Sequence, residues 1–149
     1  MSLDINGNNW DKLYAHLKLS KEMLEDALYG LEDNRFRLFQ SRLYYSCFHL
    51  VNALFYKYGI LNDKKEISSH KELRAAFNKF FIYEENIFDS SFLKILRNSS
   101  AIRDKADYNV DAIFSKEASL ENYNEVRIFM DTIKDKINES LKRIWMIQK

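Results

Sequence analysis

The sequence predicts an all-α protein, an up-and-down bundle of four to five helices. Three observations carry this reading. The 149 residues include no proline and only three glycines, so almost nothing interrupts a long helix. Apolar residues recur three and four apart in successive stretches, which places them on one side of each helix. Polar turn residues separate those stretches, without internal repeats or low-complexity linkers. Hydrophobic residues at 46% and charged residues at 30% exclude a disordered chain. The length suits one helical domain over residues 1–149, with its core at about 10–146.

The first helix is expected from about Trp10 to Gly30, with Leu13, Leu17, Leu24, Ala27, Leu28 and Leu31 at helical spacing. Asn8 or Asn9 would cap its start and Gly30 would end it. The second spans about Arg35 to Tyr58, capped by Asn34 and stopped by Gly59; as the most apolar, it reads as the central helix. A polar loop from Asn62 to Ser68 leads into Ser69-His70-Lys71-Glu72. This fits a capping box, in which Ser69 and Glu72 each satisfy a free backbone donor. The third helix carries Leu73, Ala76, Phe77 and Phe80. The fourth runs from about Ser90 to Ala106 behind Asp89 or Ser90, and Asp107 to Phe114 reads as irregular. The fifth, from Ser115 to Met146, presents Val126, Phe129, Met130, Ile133, Ile137, Leu141 and Ile144.

Composition narrows the function classes. A formal charge of +1 argues against a generally basic nucleic-acid surface, so an anionic ligand would meet a local cluster. The single cysteine, Cys47, excludes an internal disulfide and suits a reducing cytoplasm, the expected location. It falls on an apolar face and reads as a buried packing residue. One cysteine and three scattered histidines offer no zinc-ligand spacing; no metal or cofactor is expected. No apolar run reaches the roughly 18–20 residues of a membrane span, and no signal peptide is expected.

Two polar constellations stand out. Arg35, Arg42, His49 and Tyr56 fall seven apart on the second helix and form one line, bordered by Tyr45 and Asn52. Two cations, an imidazole and phenols could hold a phosphate and a base. The plainer alternative is the solvent face of a core helix, and a dimer seam is a third. On the fourth helix, Arg103 falls within the inward face of Phe92, Ile95, Leu96, Ser99, Ile102 and Ala106, where a cation needs a partner. Asp107, four residues on, would supply one. That pair either pins the helix end or orients Arg103 toward a phosphate. Tyr108 would point about 140° from Arg103 on an unbroken helix, so the two are expected to meet only if the helix ends near Ala106. His70 and Lys71 open a helix, where an anion is favoured, or are simply exposed. His16 has no evident partner and is expected at the surface.

Arg42-Leu43-Tyr44-Tyr45-Ser46-Cys47-Phe48-His49, then His70-Lys71 ahead of Phe77-Asn78-Lys79-Phe80-Phe81, then Arg103-x-x-Ala106-Asp107-Tyr108 together resemble a HEPN (higher eukaryotes and prokaryotes nucleotide-binding) domain. The similarity runs from about Trp10 to Ile137 and is greatest to a prokaryotic branch marked by Arg-x-x-Ala-Asp-Tyr. It implies a helical bundle, usually a homodimer, often encoded beside a minimal nucleotidyltransferase. Many relatives are metal-independent ribonucleases, several of them toxins of toxin–antitoxin pairs. Their signature is an arginine followed a few residues later by a histidine, contributed by both subunits to a cleft. The RNA 2′-hydroxyl attacks the adjacent phosphate there.

This chain departs from that signature, because Tyr108 stands where the histidine would be. A phenol with a pKa near 10 is about 3 units from neutral and a poor general base. Arg42 and His49 match the spacing on an earlier helix. A composite catalytic site of Arg103, Tyr108 and His49 would form if the second and fourth helices pack together. Arg42, Tyr45, His70, Lys71 and Asp107 would bind RNA or a nucleotide beside it. The expectation is therefore an RNA- or nucleotide-binding module, with ribonuclease or toxin activity open. The rival is a non-catalytic interaction module with a structural Arg103–Asp107 pair.

Overall fold

The computed structural model describes residues 7–61 and 64–148, with side chains placed for 9–61 and 64–139. Among these residues five α-helices and one π-helical segment follow one another, without a strand. They are α1 (Gly7–Glu32), α2 (Phe36–Lys57), α3 (His70–Phe77), the π-helical segment Asn78–Glu84, α4 (Ser90–Tyr108) and α5 (Lys116–Gln148). The expected all-α bundle is what forms. None of these helices is long and apolar enough to cross a membrane.

Helix α2 is the centre. Fifteen of its 22 residues are buried, too many for one face, because α1, α4 and α5 all pack against it. Burying a large aliphatic or aromatic side chain contributes about 1.5–3 kcal/mol, and Phe39, Leu43, Leu50, Leu54 and Phe55 are fully buried. From α1 come Leu13 and Ala27, and from α5 Val126, Phe129, Met130, Ile133 and Ile137, as their spacing predicts. Leu141 and Ile144 lie outside the described side chains. Cys47 is buried at 1% exposure, and burial pushes its thiol up to about 12, the state of an inert packing residue. Lys57 crosses from α2 to α5, where its ammonium donates to the carbonyls of Lys136 and, at 2.6 Å, Ile137.

The helix ends correct several expectations. Helix α1 begins at Gly7, so Asn8 and Asn9 lie in its first turn. Gly30 does not end the helix, which continues to Glu32. A Cβ there would sit 3.3 Å from both the Arg35 carbonyl oxygen and the Phe39 nitrogen, a tight contact, so glycine suits the close approach of the chain entering α2. Nor does Asn34 cap α2. It takes φ 58 and closes α1, while the Arg35 amide donates to Gly30 at 2.7 Å and the Asn34 amide to Leu31 at 3.2 Å. Gly59 closes α2 in the same way, at φ 72, with the Ile60 amide donating to Phe55 at 2.9 Å. This one follows the expectation, because glycine takes left-handed φ without steric cost.

Side-chain caps hold the remaining starts. Ser69 Oγ accepts from the Glu72 amide at 3.3 Å, Asp89 from the Ser91 amide at 2.9 Å, and Ser115 Oγ from the Ala118 amide at 3.1 Å. The third helix widens into a π-helix at Asn78, a change of period that an apolar stripe conceals. Rings then gather around it, with Phe81 stacked on Phe55 at 5.7 Å and Phe77 on Phe88 at 5.7 Å.

Candidate functional site

The site is built on α4. Leu96, Ser99, Ser100, Arg103 and Ala106 form its buried stripe, so the helix register carries Arg103 into the bundle. The Arg103 side chain is only 6% exposed, and a cation so placed requires compensation. Two carboxylates of the same helix provide it. Asp104 approaches the guanidinium to 2.9 Å and Asp107 to 3.7 Å, so the expected Arg103–Asp107 pair exists but is the longer of two. The buried Nε of Arg103 has no hydrogen-bond partner among the described residues.

Aromatic rings complete the surround. The guanidinium carbon lies 5.4 Å from the centre of the Tyr44 ring, 5.7 Å from Tyr45 and 5.9 Å from Tyr108. Such cation–ring contacts contribute about 0.5–2 kcal/mol each, more as water is excluded. Tyr44 is fully buried, whereas Tyr108 is 74% exposed and forms the outer wall. The expectation that Tyr108 reaches Arg103 only past a helix end is overturned. Helix α4 runs unbroken to Tyr108, and the length of the two side chains spans the angle between their Cα atoms.

An imidazole joins this cluster, but it is His70. Its Nδ1 lies 2.7 Å from the Tyr44 phenol oxygen, and its ring is 5.1 Å from Tyr44 and 6.2 Å from Tyr45. Arg103 and His70 thus bear on the same two tyrosines. Burial lowers the His70 pKa, and the positive charge of Arg103 lowers it further, against the pull of Asp104. Burial likewise pushes the Tyr44 phenol up to about 12, so it keeps its proton.

His49 meets a different partner. Its Nδ1 lies 3.0 Å from Nδ1 of His16, across the seam between α1 and α2. His16 is therefore not a surface residue; it is 6% exposed, with its ring 5.7 Å from Tyr56. Tyr56 is itself fully buried and donates to the Lys64 carbonyl at 2.7 Å. The polar line on α2 consequently faces α1 rather than solvent. Arg35 stands outside the helix and pairs with Asp33 at 2.7 Å. Arg42 is half-buried and Lys71 exposed, and neither forms an ion pair with a described residue.

Four contributors escaped the sequence reading. Asp104 is the nearer counter-ion, and Tyr44, part of the Arg42–His49 stretch, has no role in the site expected from the sequence. Arg74 and Ser100 belong as well, because Arg74 donates to Ser100 Oγ at 3.1 Å and the Ser100 hydroxyl acts to lower the Tyr44 pKa against the effect of burial. Spacing along one helix carries no sign of a network drawn from α2, α3 and α4. Among the described residues no three His, Cys, Asp or Glu side chains converge as a metal site requires.

The family model of the HEPN domain matches residues 14–137. This chain belongs to the HEPN family. A Methanocaldococcus jannaschii protein named "Putative toxin" is 29% identical over 137 residues, covering 92% of this HEPN chain and 97% of that protein. A Thermotoga maritima protein named "UPF0332 protein" is 28% identical over 124 residues, covering 83% of this chain and 89% of that one. The matched span of this HEPN protein contains every residue of the Arg103 cluster.

Proposed function

We propose that this HEPN protein binds RNA or a nucleotide at the Arg103 cluster, in a cleft formed with a second copy of the chain, and cleaves RNA there without a metal. It acts in the cytoplasm as a toxin-like component, with a minimal nucleotidyltransferase as its partner. One observation carries the reading: a nearly buried guanidinium, with one nitrogen unpaired, lies against an exposed tyrosine. A desolvated arginine recognises phosphate strongly, and an exposed ring beside it offers a platform for a base. Asp104 is 60% exposed on its side chain and free to swing out as a phosphate takes its place. The name of the archaeal relative supports the toxin-like part.

The two carboxylates favour a second reading, a non-catalytic interaction module in which they neutralise Arg103 for stability alone. RNA cleavage by the purified protein in EDTA separates the two. Under the first reading the products end in 2′,3′-cyclic phosphates, and Arg103→Ala and Tyr108→Ala both reduce cleavage. Tyr108 is exposed enough for its removal to spare the fold. Failure to cleave or retain RNA, with Arg103→Ala unfolding the bundle, selects the second.

A further inference from the structure

We propose that His70, the first residue of α3, is the proton-moving group of RNA cleavage at the Arg103 cluster, aimed by a hydrogen-bonded chain running from Arg74 through Ser100 and Tyr44. The inference rests on the ribonuclease reading above. Two measured contacts anchor the chain, Arg74 donating to Ser100 Oγ at 3.1 Å and the Tyr44 oxygen lying 2.7 Å from His70 Nδ1, and the Ser100 hydroxyl, which acts to lower the Tyr44 pKa, stands between them. Tyr44 is fully buried and Ser100 only 4% exposed, so the middle of the chain is shielded from water, while Arg74 and His70 at its ends are half-buried. The same Tyr44 ring lies against Arg103. One rigid side chain therefore sets both the phosphate-binding cation and the imidazole. His49 is already committed to His16 on the seam with α1.

The two ring nitrogens have separate tasks. The proposed base is the tautomer whose Nδ1–H donates to the Tyr44 oxygen; the Tyr44 hydroxyl hydrogen then turns to Ser100, whose oxygen has lone pairs for both Tyr44 and Arg74. Nε2 then carries a lone pair and makes no hydrogen bond with a described residue. The titratable and charged groups around the ring are Arg103 and Asp104 from α4, Arg74 from α3, and Tyr44 and Tyr45 from α2. Burial and the two arginines keep the ring neutral near pH 7, the form a base requires. In the reaction Nε2 takes the proton of the RNA 2′-hydroxyl. The O2′–P bond forms as the P–O5′ bond breaks, and Arg103 balances charge on the phosphate. The departing 5′-oxygen takes a proton from water, and His70 returns its own to solvent. The products are a 2′,3′-cyclic phosphate and a 5′-hydroxyl.

The test is single-turnover cleavage of a fluorescent RNA in EDTA, with affinity for the same RNA read by anisotropy. His70→Asn keeps a hydrogen-bonding atom toward Tyr44 but removes the base, and circular dichroism checks its fold. It is expected to lose about 100-fold or more in rate at unchanged affinity, with partial rescue by added imidazole. Tyr44→Phe is expected to shift the acidic limb of the pH–rate profile, and His49→Ala to stay within a few-fold of wild type. Cleavage by His70→Asn at the wild-type rate overturns the role of His70 while leaving the ribonuclease reading intact. Wild-type protein that binds this RNA through Arg103 and Tyr108 without cutting it removes both.

Discussion

His16 and His49 face each other across the α1–α2 seam with their Nδ1 atoms 3.0 Å apart. One nitrogen must donate and the other accept, so the contact requires at least one neutral ring and is lost when both are protonated. Burial, reinforced by His49, lowers the His16 pKa to about 4, with Glu66 opposing; burial also lowers His49, again against Glu66. A histidine held neutral in the fold takes up protons more readily when unfolded. Its stabilising contribution is therefore complete above pH 6.5 and drains away as the pH falls toward 4.

Urea unfolding should record that loss. Between pH 7.5 and pH 4.5 the wild type is expected to lose roughly 2–3 kcal/mol through His16, with its m-value unchanged. His16→Asn should be less stable at pH 7.5 and flatter with pH. Parallel pH profiles for the two proteins would contradict the assignment.

Two glycines should respond to alanine for different reasons. At Gly30 a helix-favouring methyl gains about 1 kcal/mol, but it meets two backbone atoms at 3.3 Å, where overpacking costs about 1–3 kcal/mol. The net expectation is destabilisation near 1 kcal/mol. At Gly59 nothing lies within 4 Å, yet φ is 72, and a Cβ costs about 1–2 kcal/mol in the left-handed region. Gly59→Asn should recover part of that loss and Gly30→Asn none, as thermal melts would reveal.

Arg37 ties down the loop after α4. Its guanidinium donates to the carbonyls of Ala106 at 3.1 Å, Val110 at 3.2 Å and Ala112 at 2.5 Å, with Phe114 beneath it at 5.6 Å. Hydrogen bonds to a charged donor contribute about 1.5–3 kcal/mol each, though not additively. Arg37→Ala should cost about 2–3 kcal/mol and speed amide exchange across 109–114. Arg37→Lys should rescue little, because an ammonium lacks the planar fork that reaches several carbonyls. Equal exchange in the variant and wild type would show the clasp to be idle.

Much of this architecture was legible because helix ends are local events. Ser69, Asp89 and Gly59 do what their residue types favour within a turn of the chain. Asn34 misled, since one asparagine suits both a helix start and a left-handed stop; the choice depended on how closely α2 could approach Gly30. Arg103 was legible as an inward cation, and its Asp107 partner followed from the spacing. Its companions were not. His16 and His49, like Tyr44 and His70, meet between helices, and periodicity within one helix does not say which neighbour each face will meet.

Tyr108 offers the cleanest discrimination of function, because it touches Arg103 yet is 74% exposed. Its removal should cost no more than about 1 kcal/mol, the contribution of one exposed cation–ring contact. Under the proposed function Tyr108→Ala should weaken RNA binding about tenfold or more, since a stacked base contributes roughly 1–3 kcal/mol. Tyr108→Phe then separates two roles for the phenol. Retained affinity would assign it to stacking, whereas a loss like that of alanine would assign it to hydrogen bonding through the hydroxyl. Titration at several salt concentrations adds a control, because Arg103→Lys should weaken binding more than charge alone explains if a planar guanidinium grips the phosphate. If Tyr108→Ala binds RNA as tightly as wild type, the ligand does not occupy the Arg103 cluster and the functional reading fails there.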